Sequence, residues 1–247
     1  MTQANFKTTA GAGIALAFAG LMGMLISSPS GQAQVGNDDA SRIQQGFAIA
    51  PVRLNLSGMN SEQVNLVGLG SYWVNAVSDC NFCHTAGGPP NFNFLANHNP
   101  YFLFQLPKLT DPTTYLGGGS DFGPALPPGF YVPGYGNYVG PDIVSRNLTP
   151  DKTGLPEGGH TLSQFMAIMR TGIDFDHLHP TCLTVSSNPL PQNCVPAPVD
   201  GSRLQIMPWP NFQNMSDHDI EAIYQYLSAI PCVAGPPAPS PLHNDCK

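Results

Sequence analysis

The chain has 247 residues and a formal net charge of −7, with only 10% of its residues charged, well under the roughly 25% of an ordinary soluble domain. No cluster of Lys and Arg is available to neutralise phosphates, which argues against nucleic acid as a partner. Gly and Pro number 26 each, yet the 42% hydrophobic content can still build a core and argues against a disordered chain.

Near the N-terminus, Lys7 precedes an apolar run from Ala10 to Ile26. "SSPSGQAQ" follows, with Gly31 and Ala33 small enough for cleavage after Ala33. This predicts a signal peptide over 1–33 and a periplasmic or extracellular protein. Gly11, Gly13, Gly20 and Gly23 dilute the run and make a firm membrane span marginal, so an uncleaved anchor is the alternative. Residues 34–60 lack periodicity and are expected as an extended lead-in. "SEQVNLVGLGSYWVNAVSDC" then predicts a helix capped by Ser61, with Leu66, Leu69, Trp73 and Val77 at helical spacing. Gly68 and Gly70 each cost it about 1 kcal/mol, which is tolerable where another helix must approach closely.

That helix ends at Cys80-Asn81-Phe82-Cys83-His84. A structural zinc site would need further ligands at fixed spacing, and none is evident. A redox dithiol belongs at the start of a helix after a strand in an α/β pattern, whereas here a helix precedes it. A local disulfide would leave the adjacent histidine without a role. A covalently attached haem uses all three residues: two thiols on one side of a helical turn, then a histidine carried beneath the iron. With 6 Cys and 7 His in the chain, chance supplies roughly 0.004 such motifs. The remaining cysteines of an exported chain are expected as disulfides, Cys182–Cys194 and Cys232–Cys246 by proximity, the likeliest of three pairings.

Residues 91–140 hold 11 of the 23 aromatic residues and only three charges, Lys108, Asp111 and Asp121. Prolines forbid a long helix there, and the segment reads as an ordered insertion packed by its own aromatic side chains. A helix with a Thr161/Gln164 capping box follows, its stripe Leu162, Phe165, Ile168 and Met169 ending near Gly172. Residues 181–203 form a second insertion. The last helix is capped by Ser216, buries Ile220, Ile223, Leu227 and Ile230, and stops at Pro231. Residues 61–232 thus make one domain with insertions at 91–140 and 181–203, and 233–247 is a disulfide-tied tail.

The sixth ligand of a haem iron would come from Met166, Met169, Met207, Met215, His160, His177, His179 or His218. Met207 is favoured because "LQIMPWPNF" has no helix of its own and Pro208 and Pro210 hold it extended. A buried, gap-filling Met is the plainer alternative. The pair His177/His179 is the main competitor.

The order helix, CxxCH, "NLTPDKTG", "RTGID", "MPWPNF" and "SDHDIEAIYQYLSAIP" closely resembles the class I c-type cytochromes. It is most similar to the haem domains of cytochrome subunits of membrane-bound alcohol and sugar dehydrogenases, which commonly carry several haem motifs where this chain has one. The resemblance covers 61–90, 141–180 and 204–231. It implies a mostly α fold, one covalent haem c, thioethers at Cys80 and Cys83, and axial ligands His84 and Met207. It also implies a crossing of the first and last helices at Gly70 and Tyr226, with Arg146 and Trp209 near the haem propionates. The protein is then expected to be a carrier of single electrons rather than an enzyme, serving a redox donor and acceptor. Two alternatives stand beside that expectation. One is a haem enzyme or gas sensor with an open distal site. The other is a subunit docked to a dehydrogenase or oxidase complex, or to copies of itself, through the aromatic insertion 91–140.

Overall fold

The computed structural model describes residues 32–86, 94–132, 134–182, 193–236, 238, 240 and 242–247. The signal segment expected at 1–33 lies outside the described residues except for Gln32 and Ala33. In chain order the helices begin with α1 (Gln32–Ile49), α2 (Ser61–Tyr72) and the one-turn α3 (Cys80–Cys83). A two-stranded antiparallel sheet follows, β1 (Asp121–Pro124) with β2 (Asp142–Val144). The second half holds α4 (Pro156–Gly159), α5 (Leu162–Thr171), α6 (Trp209–Phe212) and α7 (Asp217–Ala229). The architecture is mostly α. Among the described residues no helix is long and apolar enough to cross a membrane.

The expected extended lead-in at 34–60 is corrected: α1 occupies its first half. Its contact with α2 depends on small residues. A Cβ on Gly46 would sit 1.8 Å from the Gly68 carbonyl oxygen, and one on Gly68 would meet Phe47 and Ile43. The helix is held by close backbone approach rather than by a broad apolar stripe, so periodicity does not reveal it. The cap of α2 also moves by one residue. Asn60 accepts from the Gln63 backbone N–H at 2.9 Å while the Gln63 side chain accepts from the Asn60 N–H at 3.0 Å, a reciprocal box that satisfies two end donors.

α2 and α7 form the centre of the molecule. A Cβ on Gly70 would lie 1.9 Å from the Ala222 carbonyl oxygen and 2.8 Å from the Tyr226 Cβ, so this crossing requires glycine. The predicted meeting of Gly70 with Tyr226 is what the chain builds. The Trp73 indole N–H donates to Asp219 Oδ1 at 2.9 Å, tying the ends of the two helices. Tyr226, fully buried, and Tyr115 exchange a 2.9 Å hydroxyl contact, and Asn75 accepts from Tyr115 and donates to Tyr226. Val67, Val74, Leu116, Ile220 and Leu227 pack around this polar knot. α2 does not run straight into the cysteine motif: its last stretch widens to a π turn at Trp73–Val77.

Both disulfides form as expected. Cys182–Cys194 and Cys232–Cys246 have Cα separations of 4.9 and 5.7 Å, inside the usual span of about 4.4–6.8 Å. The C-terminal tail is stitched to "NLTPD": Asn147 donates to the Val233 carbonyl at 2.7 Å, and Asn244 donates to the carbonyls of Thr149 and Pro150 at 3.0 and 3.1 Å.

The insertion 91–140 is not packed by its own aromatic residues throughout. Leu126, Val132 and Tyr135 do form a small separate core. Tyr115 and Leu116 instead belong to the main core. Tyr101, Phe102, Phe104, Phe122, Phe130 and Tyr131 are exposed, Phe104 completely. Part of the second insertion, 183–192, lies outside the described residues.

Candidate functional site

Cys80 and Cys83 sit on the single turn α3, which the chain enters through Asp79 in a left-handed conformation (φ 42°). Asn81, between them, accepts from the Leu116 N–H at 3.1 Å, and the Gly118 N–H donates to the His84 carbonyl at 3.0 Å. Ser120 Oγ donates to the Thr85 carbonyl. Residues 116–120 therefore brace the motif from alongside, although they fall within the stretch expected to be an insertion.

Both thiols are free while every other cysteine is paired. Burial, reinforced by Asp79 and by Cys83, pushes the Cys80 thiol up to about 12. Burial and Asp79 also raise Cys83. Neutral thiols next to a carboxylate are the opposite of the electropositive surroundings that activate a redox cysteine. Among the described residues no group of three or more His, Cys, Asp or Glu is arranged to hold a metal ion by itself.

His84 is oriented by the backbone. Its Nδ1 lies 2.8 Å from the Arg146 carbonyl oxygen. A carbonyl can only accept, so Nδ1 carries the proton and Nε2 keeps its lone pair. Burial lowers the basicity of the ring, favouring the neutral form. This is how proteins fix the tautomer of a metal-binding imidazole. The Arg146 guanidinium is engaged separately, held by Asp174, which is 3% exposed, and by Asp176.

Cys80, Cys83 and His84 line a cavity together with Met207, and Leu148, Phe165, Met169, Ile223 and Leu227 supply apolar wall. About 140 Å³ of it is open to the centre of a water-sized sphere. One water needs roughly 10–15 Å³ on that measure, so the space is an order of magnitude larger than a hydration site. The thiols, the fixed imidazole, the thioether and the apolar wall fit a flat, largely apolar iron macrocycle.

The candidate sixth ligands separate clearly. Met207, Met169 and His179 line the cavity. Met169 is 3% exposed and part of the core. Burial lowers His179, and its Nδ1 is buried without a hydrogen-bond partner. His160 is buried with Nδ1 on the Glu157 carbonyl at 2.7 Å. His177 and His218 are exposed, and neither lines the cavity, nor do Met166 and Met215. Met207 precedes a real helical turn, which corrects the expected extended stretch: Pro208 occupies the N-cap position of α6 without a side-chain cap, and Pro210 sits in its first turn, where a missing N–H is harmless.

Arg146 lines the cavity with its guanidinium engaged by carboxylates. Trp209 does not line it. Its indole N–H donates to the Leu204 carbonyl at 3.2 Å, and Arg203 stacks 5.8 Å from its ring centre.

No family model, no curated protein and no solved structure matches this chain.

Sequence reasoning missed the Arg146 carbonyl as the partner of His84, because a backbone acceptor has no signature. It also missed the buried acids Glu157 and Asp174. "LPEGGH" and "GIDFD" read as ordinary polar turns, and nothing in their spacing marks burial.

Proposed function

We propose that this protein is an exported mono-haem c-type cytochrome with a class I fold carrying long loops, and that it passes single electrons between redox partner proteins. The observation that carries the reading is His84: a neutral imidazole, locked by the Arg146 carbonyl with Nε2 unprotonated, beside two free thiols on the wall of an apolar cavity. A c-type haem, when bound, supplies a one-electron iron couple. The residues of this chain do the rest. Cys80 and Cys83, kept as thiols, would hold the group covalently as thioethers. His84 and Met207 would offer nitrogen and sulfur to its iron, a pairing that would favour the reduced state.

Fixed ligands and the wall of Leu148, Phe165 and Leu227 exclude water and limit rearrangement on electron transfer. Phe122 and Ile206 line the cavity and are 40% exposed, so the enclosed space reaches the surface at an apolar rim where a partner can approach.

The test is the optical spectrum of the oxidised holoprotein beside Met207→Ala, with denaturing mass spectrometry. The expected result is a haem mass that survives denaturation and is lost in Cys80→Ala/Cys83→Ala, with a weak far-red sulfur-to-iron band lost in Met207→Ala. A low-spin spectrum without that band points to His179 instead. A high-spin spectrum points to an open iron and to the enzyme or sensor reading.

A docked cytochrome subunit is a second reading, favoured by Tyr101–Leu109. Leu103 is 82% and Phe104 100% exposed there, and apolar surface of this kind marks an interaction site. The partner is a dehydrogenase or oxidase complex, or copies of the same chain. Sedimentation of wild type against Leu103→Ser/Phe104→Ser tests self-assembly.

A further inference from the structure

Glu157 has no part in holding or ligating the group proposed above, yet its position is unusual. It lies in α4 with φ 51°, a left-handed conformation for a residue that is not glycine. It is 6% exposed, lines the same cavity as His84 and Met207, and its Oε2 is buried without a hydrogen-bond partner. A buried carboxylate oxygen left unpartnered is costly as an anion, so the site asks for a proton or a donor.

The surrounding groups do not supply a dedicated cation. Arg146, on the segment after β2, faces Glu157, but Asp174 and Asp176 already hold its guanidinium. Asp174, on the loop after α5, adds negative charge. His160, which ends the same turn, donates Nδ1–H to the carbonyl of Glu157, and its Nε2 lies 3.9 Å from Asp176 Oδ1. His179 lines the cavity nearby. Among the described residues Arg146 is the one Lys or Arg on the cavity wall, set against three carboxylates in this cluster. Burial raises the Glu157 carboxyl above the usual range and Asp174 adds to that, while Arg146 and His160 oppose it.

We infer that Glu157 is the proton acceptor coupled to the redox state of the cavity, protonated when the site holds an extra electron and ionised when that electron leaves. The inference rests on the haem reading. The electron comes from the donor protein and the proton from solvent. One O–H bond forms on Glu157, and the net charge of the enclosed space stays constant through the cycle. The coupling is strong because charges interact far more strongly in a poorly hydrated interior than in water.

The experiment is spectroelectrochemical titration of the full holoprotein across pH, with infrared redox-difference spectra. The expected potential is constant at low pH, where Glu157 is already protonated. It falls as pH rises through the Glu157 ionisation by at most about 59 mV for each tenfold drop in proton activity, the one-electron conversion. Reduction should produce a protonated-carboxyl infrared band in wild type. Glu157→Gln should lose both the band and the slope, and hold its potential near the wild-type low-pH value. If this variant does not fold, the wild-type slope and infrared band still decide. A holoprotein with covalent haem and a pH-independent potential overturns this inference alone, as does a slope that persists in Glu157→Gln. A chain that carries no haem overturns the haem reading and the inference together.

Discussion

The α2–α7 crossing and the Tyr101–Leu109 segment are both rich in aromatic or apolar residues, and the chain treats them in opposite ways. At the crossing, Tyr226 and Tyr115 are fully or nearly fully buried and hydrogen-bonded to each other. In the segment, Tyr101 is 60% and Phe104 100% exposed. The segment is nevertheless ordered from within. Leu95 N–H donates to Leu109 at 2.9 Å, Leu106 N–H to Asn97 at 2.7 Å, and the His98 ring lies 2.8 Å from the Pro107 carbonyl. Its backbone satisfies itself while its apolar side chains face outward. The core buries its aromatic residues, whereas in the segment Phe102, Leu103 and Phe104 stay at the surface.

Mutations at the crossing should therefore be costly and mutations in the segment nearly silent. The largest effect is expected for Gly70→Val, whose side chain collides with Ala222 and Tyr226: a loss of about 4–5 kcal/mol, at the top of the usual range, read by denaturant unfolding. Arg146→Ala comes next. It takes the guanidinium from buried Asp174, whose carboxylate keeps only the backbone N–H bonds from Asp176, His177 and Leu178, for a loss of about 2–3 kcal/mol, while the carbonyl that orients His84 is backbone and persists. Thermal melting measures the first part, and an unchanged ligand spectrum of the holoprotein checks the second. Tyr226→Phe strips the hydroxyl from the Asn75–Tyr115 knot and should cost about 1–2 kcal/mol. Phe104→Ser should change stability by no more than about 0.5 kcal/mol. A loss above about 1 kcal/mol there would break the comparison, because Phe104 would then be serving the fold.

Legibility in the sequence follows the same division. α5 and α7 were readable because Thr161 and Ser216 cap them and because Phe165, Ile220 and Leu227 repeat at helical spacing. The site was readable where it depends on covalent spacing, at Cys80, Cys83 and His84. α1 was hidden because it meets α2 through Gly46 and Gly68, and close backbone approach has no hydrophobic period. The exposure of Phe104 was hidden because composition reports how many aromatic residues a stretch holds and not which way they face. Glu157 was hidden because a left-handed Glu between Pro156 and Gly158 looks like a surface turn until the cavity is seen around it.

The two halves of the cavity, at residues 78–84 and 204–227, lie far apart along the chain. Trp73 and Asp219, whose bond closes α2 on α7, are 146 positions apart, and closing so long a loop costs more entropy than forming a local turn. A chain emerging N-terminus first presents Cys80, Cys83 and His84 on a local turn before Met207, Ile223 and Leu227 exist to cover them. Under the proposed function, the attachment chemistry meets an open platform, and the arrival of α7 encloses what has been attached.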